Sequence, residues 1–96
     1  MESLRCAIKN DPARSCFSIT GIGQDMCIEY STDVNFTPFV HCLAGLIEND
    51  RTIEIVDPLD LEGKAKVVYE ALVSIIEKFN CAISGGLTSE AESFLV

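Results

Sequence analysis

Between Asp60 and Asn80 the apolar residues Leu61, Ala65, Val68, Leu72, Ile75, Ile76 and Phe79 recur at steps of three and four. That spacing puts them on one face of a helix, as a stripe about 30 Å long at 1.5 Å per residue. No other stretch constrains the fold as tightly, and the stripe carries no chemistry of its own. Val67, Tyr69, Ala71 and Val73 flank it and widen the apolar arc past half the circumference. A helix resting only on its own sheet has no use for so wide an arc. Either a second helix covers the flank or another copy of the chain does. With 48 % apolar residues and a mean hydropathy of +0.27, the expectation is a homodimer with Val67, Tyr69, Ala71 and Val73 at the interface.

The residues before this helix read as strands. Leu4 to Lys9 alternates Leu, Cys and Ile with Arg, Ala and Lys, the period of a half-exposed strand. Asn10-Asp11-Pro12-Ala13 is turn chemistry, because proline presets φ and Asn or Asp caps the turn. Ser15 to Thr20 alternates again, with Phe17 and Ile19 on one face. Gly21-Ile22-Gly23-Gln24-Asp25 forms a second loop, after which Met26, Ile28 and Tyr30 alternate with Cys27, Glu29 and Ser31. These three strands make an antiparallel meander.

Past Ser31 the period changes. Asn35 or Thr37 is placed to cap a helix with Pro38 in its first turn, and Phe36, Phe39, Val40, Leu43, Ala44 and Ile47 fall on one side before Asn49-Asp50 ends it. Thr52 to Val56 is a short strand rich in β-branched residues. Asp57-Pro58-Leu59-Asp60 reads as the start of the long helix, which ends either at Asn80 or at Gly85-Gly86. Ser89-Glu90-Ala91-Glu92 matches a capping box. The expected organisation is a single α+β domain over residues 1–86 and a tail over 87–96, a short helix or disordered, ending Phe94-Leu95-Val96. The order β-β-β-α-β-α predicts two layers: a four-stranded, mainly antiparallel sheet with both helices on one face.

Composition excludes several functions. Fifteen acids against seven bases give a net charge of −8, which repels phosphate backbones, so no nucleic-acid partner is expected. From Asp25 to Glu62 nine acids face one base, Arg51. No run of 18 apolar residues is present to span a membrane, and Met-Glu-Ser-Leu-Arg-Cys lacks the pattern of a signal peptide. Cys6, Cys16, Cys27, Cys42 and Cys81 form no C-x-x-C pair. They read as small buried hydrophobes of a reducing cytoplasm, although Cys6, Cys16 and Cys27 on successive strands leave a cross-strand pair open.

The candidate sites are few. His41 and Cys42 are adjacent, but neighbours on a helix point about 100° apart and cannot share a proton; His41 reads as a solvated side chain. Gly21-Ile22-Gly23 fails the dinucleotide pattern because Met26 stands where a third glycine belongs and a strand follows. Gly85-Gly86-Leu87-Thr88-Ser89 resembles an anion-binding nest, with Glu90 and Glu92 opposing an anion. Asp25, Glu29, Asp33 and Glu54 form the remaining set. Glu29 and Glu54 point away from the apolar side, and they would lie close together if the third and fourth strands were neighbours. Like charges directly opposite are destabilising unless water or a cationic partner screens them. The expected function is therefore a small acidic, non-catalytic interaction or regulatory module that docks a basic or amphipathic protein segment through these four residues, with no cofactor and no metal. The alternative is a small-ligand-binding or sensor domain with a pocket between sheet and helices.

Overall fold

The computed structural model describes residues 3–31, 33–56 and 60–86. Alternating sequence becomes a sheet of β1 (Leu4–Asp11), β2 (Cys16–Thr20), β3 (Met26–Glu29) and β4 (Ile53–Val56). The helices are α1 (Thr37–Gly45), continued by a 3₁₀ turn (Ile47–Asn49), and α2 (Gly63–Ser84). The order β-β-β-α-β-α is the one expected, and the fold is a two-layer α+β domain. Its sheet is ordered β3-β2-β1-β4, with two antiparallel pairs and a parallel pair between β1 and β4.

The strand periodicities translate directly into faces. Cys6, Ile8, Phe17, Ile19, Ile28 and Ile53 are buried on the side facing the helices. They join Phe39, Leu43 and Ile47 from the α1 region and Val68, Leu72, Ile76 and Phe79 from α2 in one core. The α2 stripe is thus the inner lining expected of it, and Ala82 and Ile83 extend it to the end at Gly85-Gly86. Two polar groups on this side are satisfied locally. The Tyr30 hydroxyl donates to Asn10 Oδ1 at 2.7 Å, and its ring lies 4.9 Å from that of Phe17.

Boundaries shift where a turn is tighter than its composition suggests. β1 runs on through Asn10 and Asp11, which pair with Phe17 and Cys16. The reversal falls instead on Pro12 to Ser15, held by Arg14 N–H to the Asp11 carbonyl at 3.2 Å. Asn35 accepts the Thr37 N–H at 3.1 Å, so one orphan donor of α1 is satisfied. α2 begins at Gly63 with φ +63° rather than at Asp60, and no side chain among the described residues caps it; glycine takes that turn without strain. Asp57, the tail 87–96 with its capping box, and the Leu87-Thr88-Ser89 part of the nest lie outside the described residues.

Candidate functional site

The face of the sheet opposite the helices carries Arg5, Lys9, Cys27, Glu29 and Glu54, all exposed. Glu29 and Glu54 point away from the core, as their place in the alternation requires. They are not neighbours: β3 and β4 are the two edges of the sheet, three strand spacings or about 14 Å apart. The register sets Glu54 opposite Arg5 and Glu29 opposite Cys16. This pairing avoids the like-charge contact that adjacency of β3 and β4 would impose. The face is therefore mixed, with a basic line of Arg5 and Lys9 on β1 and one acid towards each edge.

The acids instead gather around β3. Asp25 precedes the strand, Glu29 ends it and Asp33 lies in the loop beyond, all three exposed. A cleft of about 320 Å³ opens there, lined by Arg14, Cys16, Cys27, Glu29, Asp33, Asn35 and Pro38. A second, of about 280 Å³, is lined by Gln24, Met26, Pro38, His41 and Cys42. Pro38, in the first turn of α1, is a wall common to both. Glu54 belongs to a separate cleft with Ser3, Leu4, Arg5 and Arg51. Of the four acids expected to act together, Glu29 and Asp33 share one cleft at the far end of β3, Asp25 lies before the start of the strand, about 13 Å from Glu29, and Glu54 stands on the opposite edge.

Cys16 and Cys27 sit diagonally across β2 and β3 in the first cleft. Burial pushes the Cys16 thiol up against the opposing pull of Arg14, and the Cys27 thiol beside it adds to the rise. Both remain free thiols, as do Cys6, Cys42 and Cys81. On α1 the Cys42 thiol donates to the Ile22 carbonyl at 3.1 Å, while His41 is exposed. Cys42 is thus committed to a loop backbone. The glycine loop is structural too: Gly21 has φ +94°, and a Cβ there would stand 2.1 Å from the Arg5 carbonyl oxygen.

Among the residues expected at a dimer interface, Tyr69 is half-buried and its ring lies 6.0 Å from Phe17 in the chain's own core. Ala71 and Val73 are half-buried. Val67, 65 % exposed, is the one large exposed hydrophobic residue among those described. Within the described residues, no group of three or more His, Cys, Asp or Glu side chains is placed to hold a metal ion. No described helix is long and apolar enough to cross a membrane.

One important residue escapes the periodicity reading. Asn80 follows Ile76 by four, on the stripe, and its amide brackets β4: Ile53 N–H donates to Asn80 Oδ1 at 2.7 Å, and Asn80 Nδ2 donates to the Ile53 carbonyl at 2.8 Å. A polar residue at a core-facing position was the available signal. The contact occupies the outward backbone groups of Ile53 on the edge strand β4. Compared with protein-family models, curated proteins and solved structures, the chain matches none.

Proposed function

We propose that this protein is a small, non-catalytic interaction module whose β3 end docks a basic or amphipathic segment of another protein. The observation that carries the reading is the pair Glu29 and Asp33, both exposed, on one open cleft that also holds Arg14, with Asp25 exposed before the start of the same strand. Such a field raises the encounter rate with a cationic partner and selects against an anionic one. Glu54, opposite Arg5, contributes at most to the outer rim. The net charge of −8 supports a protein partner rather than nucleic acid or an anionic membrane. The cytoplasmic setting belongs to the same proposal and is supported by five free thiols.

Capture of the partner from the native host, identified by mass spectrometry, tests this reading. Glu29→Lys with Asp33→Lys should abolish the capture with an unchanged circular dichroism spectrum, and Glu54→Lys should spare it. Equal capture by the Glu29/Asp33 variant removes the proposal. Homodimerisation through α2 now rests on Val67 with Ala71 and Val73. Light scattering should then report twice 10.5 kDa, falling to one chain on Val67→Asp; a single-chain mass throughout discards that interface.

The alternative is a small-ligand-binding or sensor domain. Phe17, Phe39, Leu72 and Phe79 are fully buried between sheet and helices, and the described surface carries open clefts at Pro38; a rise in melting temperature with a metabolite, in the absence of protein partners, would favour this reading.

A further inference from the structure

The two edges of the sheet are finished differently. On β4 the outward N–H and C=O of Ile53 are both taken by Asn80. On β3 the phase of the ladder is set by Tyr30 N–H, which donates to the Ser15 carbonyl at 2.9 Å. In an antiparallel pair, positions that exchange hydrogen bonds alternate with positions that do not. Tyr30, Ile28 and Met26 therefore turn their backbone groups towards β2, and Cys27 and Glu29 turn theirs away from the sheet. No backbone bond to another part of the described chain takes up these outward groups. The side chains of both residues are exposed on the sheet face away from the helices, and the two clefts that share Pro38 lie along this strand.

We infer that the partner segment binds as an added strand on the free edge of β3, hydrogen-bonded to Cys27 and Glu29, with basic residues spaced to meet Asp25 and Glu29. The inference rests on the interaction reading above and supplies its geometry. Successive residues of a strand point to opposite faces, so Cys27 and Glu29 project one way and Met26 and Ile28 the other, with Asp25 exposed directly before the strand. An incoming strand placed opposite them inherits the same alternation. Its first and fifth residues lie beside the two carboxylates and should be Lys or Arg. Its second and fourth point to the side where Met26 and Pro38 line a cleft, and should be apolar. The occupant is thus an extended basic segment of alternating character, held by main-chain bonds and selected by side chains. A second copy of this chain is a poorer fit, because pairing β3 with β3 brings the acids of two chains carrying −8 each together.

The test uses the full chain and the blocked peptide Lys-Val-Thr-Val-Lys. Its comparators are a form with both lysines at one end and two N-methylated forms, one blocking the amides that would face β3 and the other blocking the intervening amides. Titration calorimetry should show that methylation on the β3-facing side weakens binding about tenfold or more, and on the other side much less. Hydrogen exchange should show the Cys27 and Glu29 amides protected only with the peptide present. Binding indifferent to methylation, with those amides unprotected, overturns strand addition and leaves the interaction reading standing. Binding by no basic peptide overturns strand addition, whereas the interaction reading falls only if native capture also ignores Glu29→Lys with Asp33→Lys. Protection that grows with protein concentration alone assigns the edge to a second copy and also overturns the inference.

Discussion

Asn80→Asp separates the chemistry of the β4 contact from its shape. The substitution keeps size and branching but replaces the Nδ2 donor, 2.8 Å from the Ile53 carbonyl, by a carboxylate oxygen. At neutral pH one bond survives, because the Ile53 N–H still has an acceptor, and the other becomes a contact between two acceptors. Two net hydrogen bonds are worth about 1–3 kcal/mol together, and a buried orphan costs about 1–3 kcal/mol. A loss of about 2 kcal/mol at pH 7 is therefore expected for Asn80→Asp, and a similar loss for Asn80→Ala. In acid the two variants should part. A protonated carboxyl offers one acceptor and one donor, as the amide does, so folding favours the neutral form and raises the carboxyl pKa above its unfolded value of about 3.9. The stabilising contribution is then fully present below the unfolded pKa and lost as pH rises through the folded one. At about 1.4 kcal/mol per unit, 2 kcal/mol corresponds to a window from about pH 4 to pH 5.5. Urea unfolding of both variants at pH 3.5 and pH 7 measures this. The difference between them should change by about 2 kcal/mol, or roughly 1–2 M in midpoint. A difference independent of pH, or an Asn80→Ala variant within about 0.5 kcal/mol of wild type, would refute the assignment.

Three further expectations bear on core, register and thiol chemistry. Leu72 is fully buried in the middle of the α2 stripe, and Leu72→Ala should cost about 2–5 kcal/mol by chemical denaturation, a large share of the stability of a domain this size. Burial, with a smaller contribution from nearby Cys42, raises the Cys6 thiol from 9.0 to about 11. The unfolded chain thus ionises first: stability from Cys6 is complete below pH 9 and lost between pH 9 and 11, at up to about 1.4 kcal/mol per pH unit. Cys6→Ala should reduce that slope by one proton, and an unchanged slope would contradict it. Glu54→Lys sets two cations opposite each other on β1 and β4 and should cost about 0.2–1 kcal/mol, most of it recovered by adding Arg5→Glu; simple additivity of the two melting-temperature changes would show that the side chains do not interact.

The parts of the fold legible in the sequence are those with a local period. Alternation at Leu4, Cys6 and Ile8, and at Phe17 and Ile19, fixed the inward face of the sheet, and the steps of three and four from Leu61 to Phe79 fixed the lining of α2. What stayed hidden depends on residues far apart in the chain. Nothing within Thr52–Val56 says whether its neighbour is β1 or β3, and that choice decides whether Glu29 and Glu54 meet. The contact of Tyr69 is hidden for a related reason: its flanking position looks outward on an isolated helix, while its ring lies 6.0 Å from that of Phe17 on a distant strand. Asn80 looks like a helix end when taken alone, because the backbone atoms it bonds lie 27 residues earlier.

The hydrogen-bond partners that hold β4 in place lie far from it in sequence. One margin leans on β1, where the Leu4 N–H reaches the Thr52 carbonyl at 2.8 Å, and the other waits for Asn80. During synthesis the first three strands emerge with their partners close behind them, whereas the fourth emerges before the side chain that fastens it. In the full chain, Asn80→Ala should accordingly speed amide exchange at Ile53, whose N–H loses its acceptor, while the ladder between β1 and β2 stays slow.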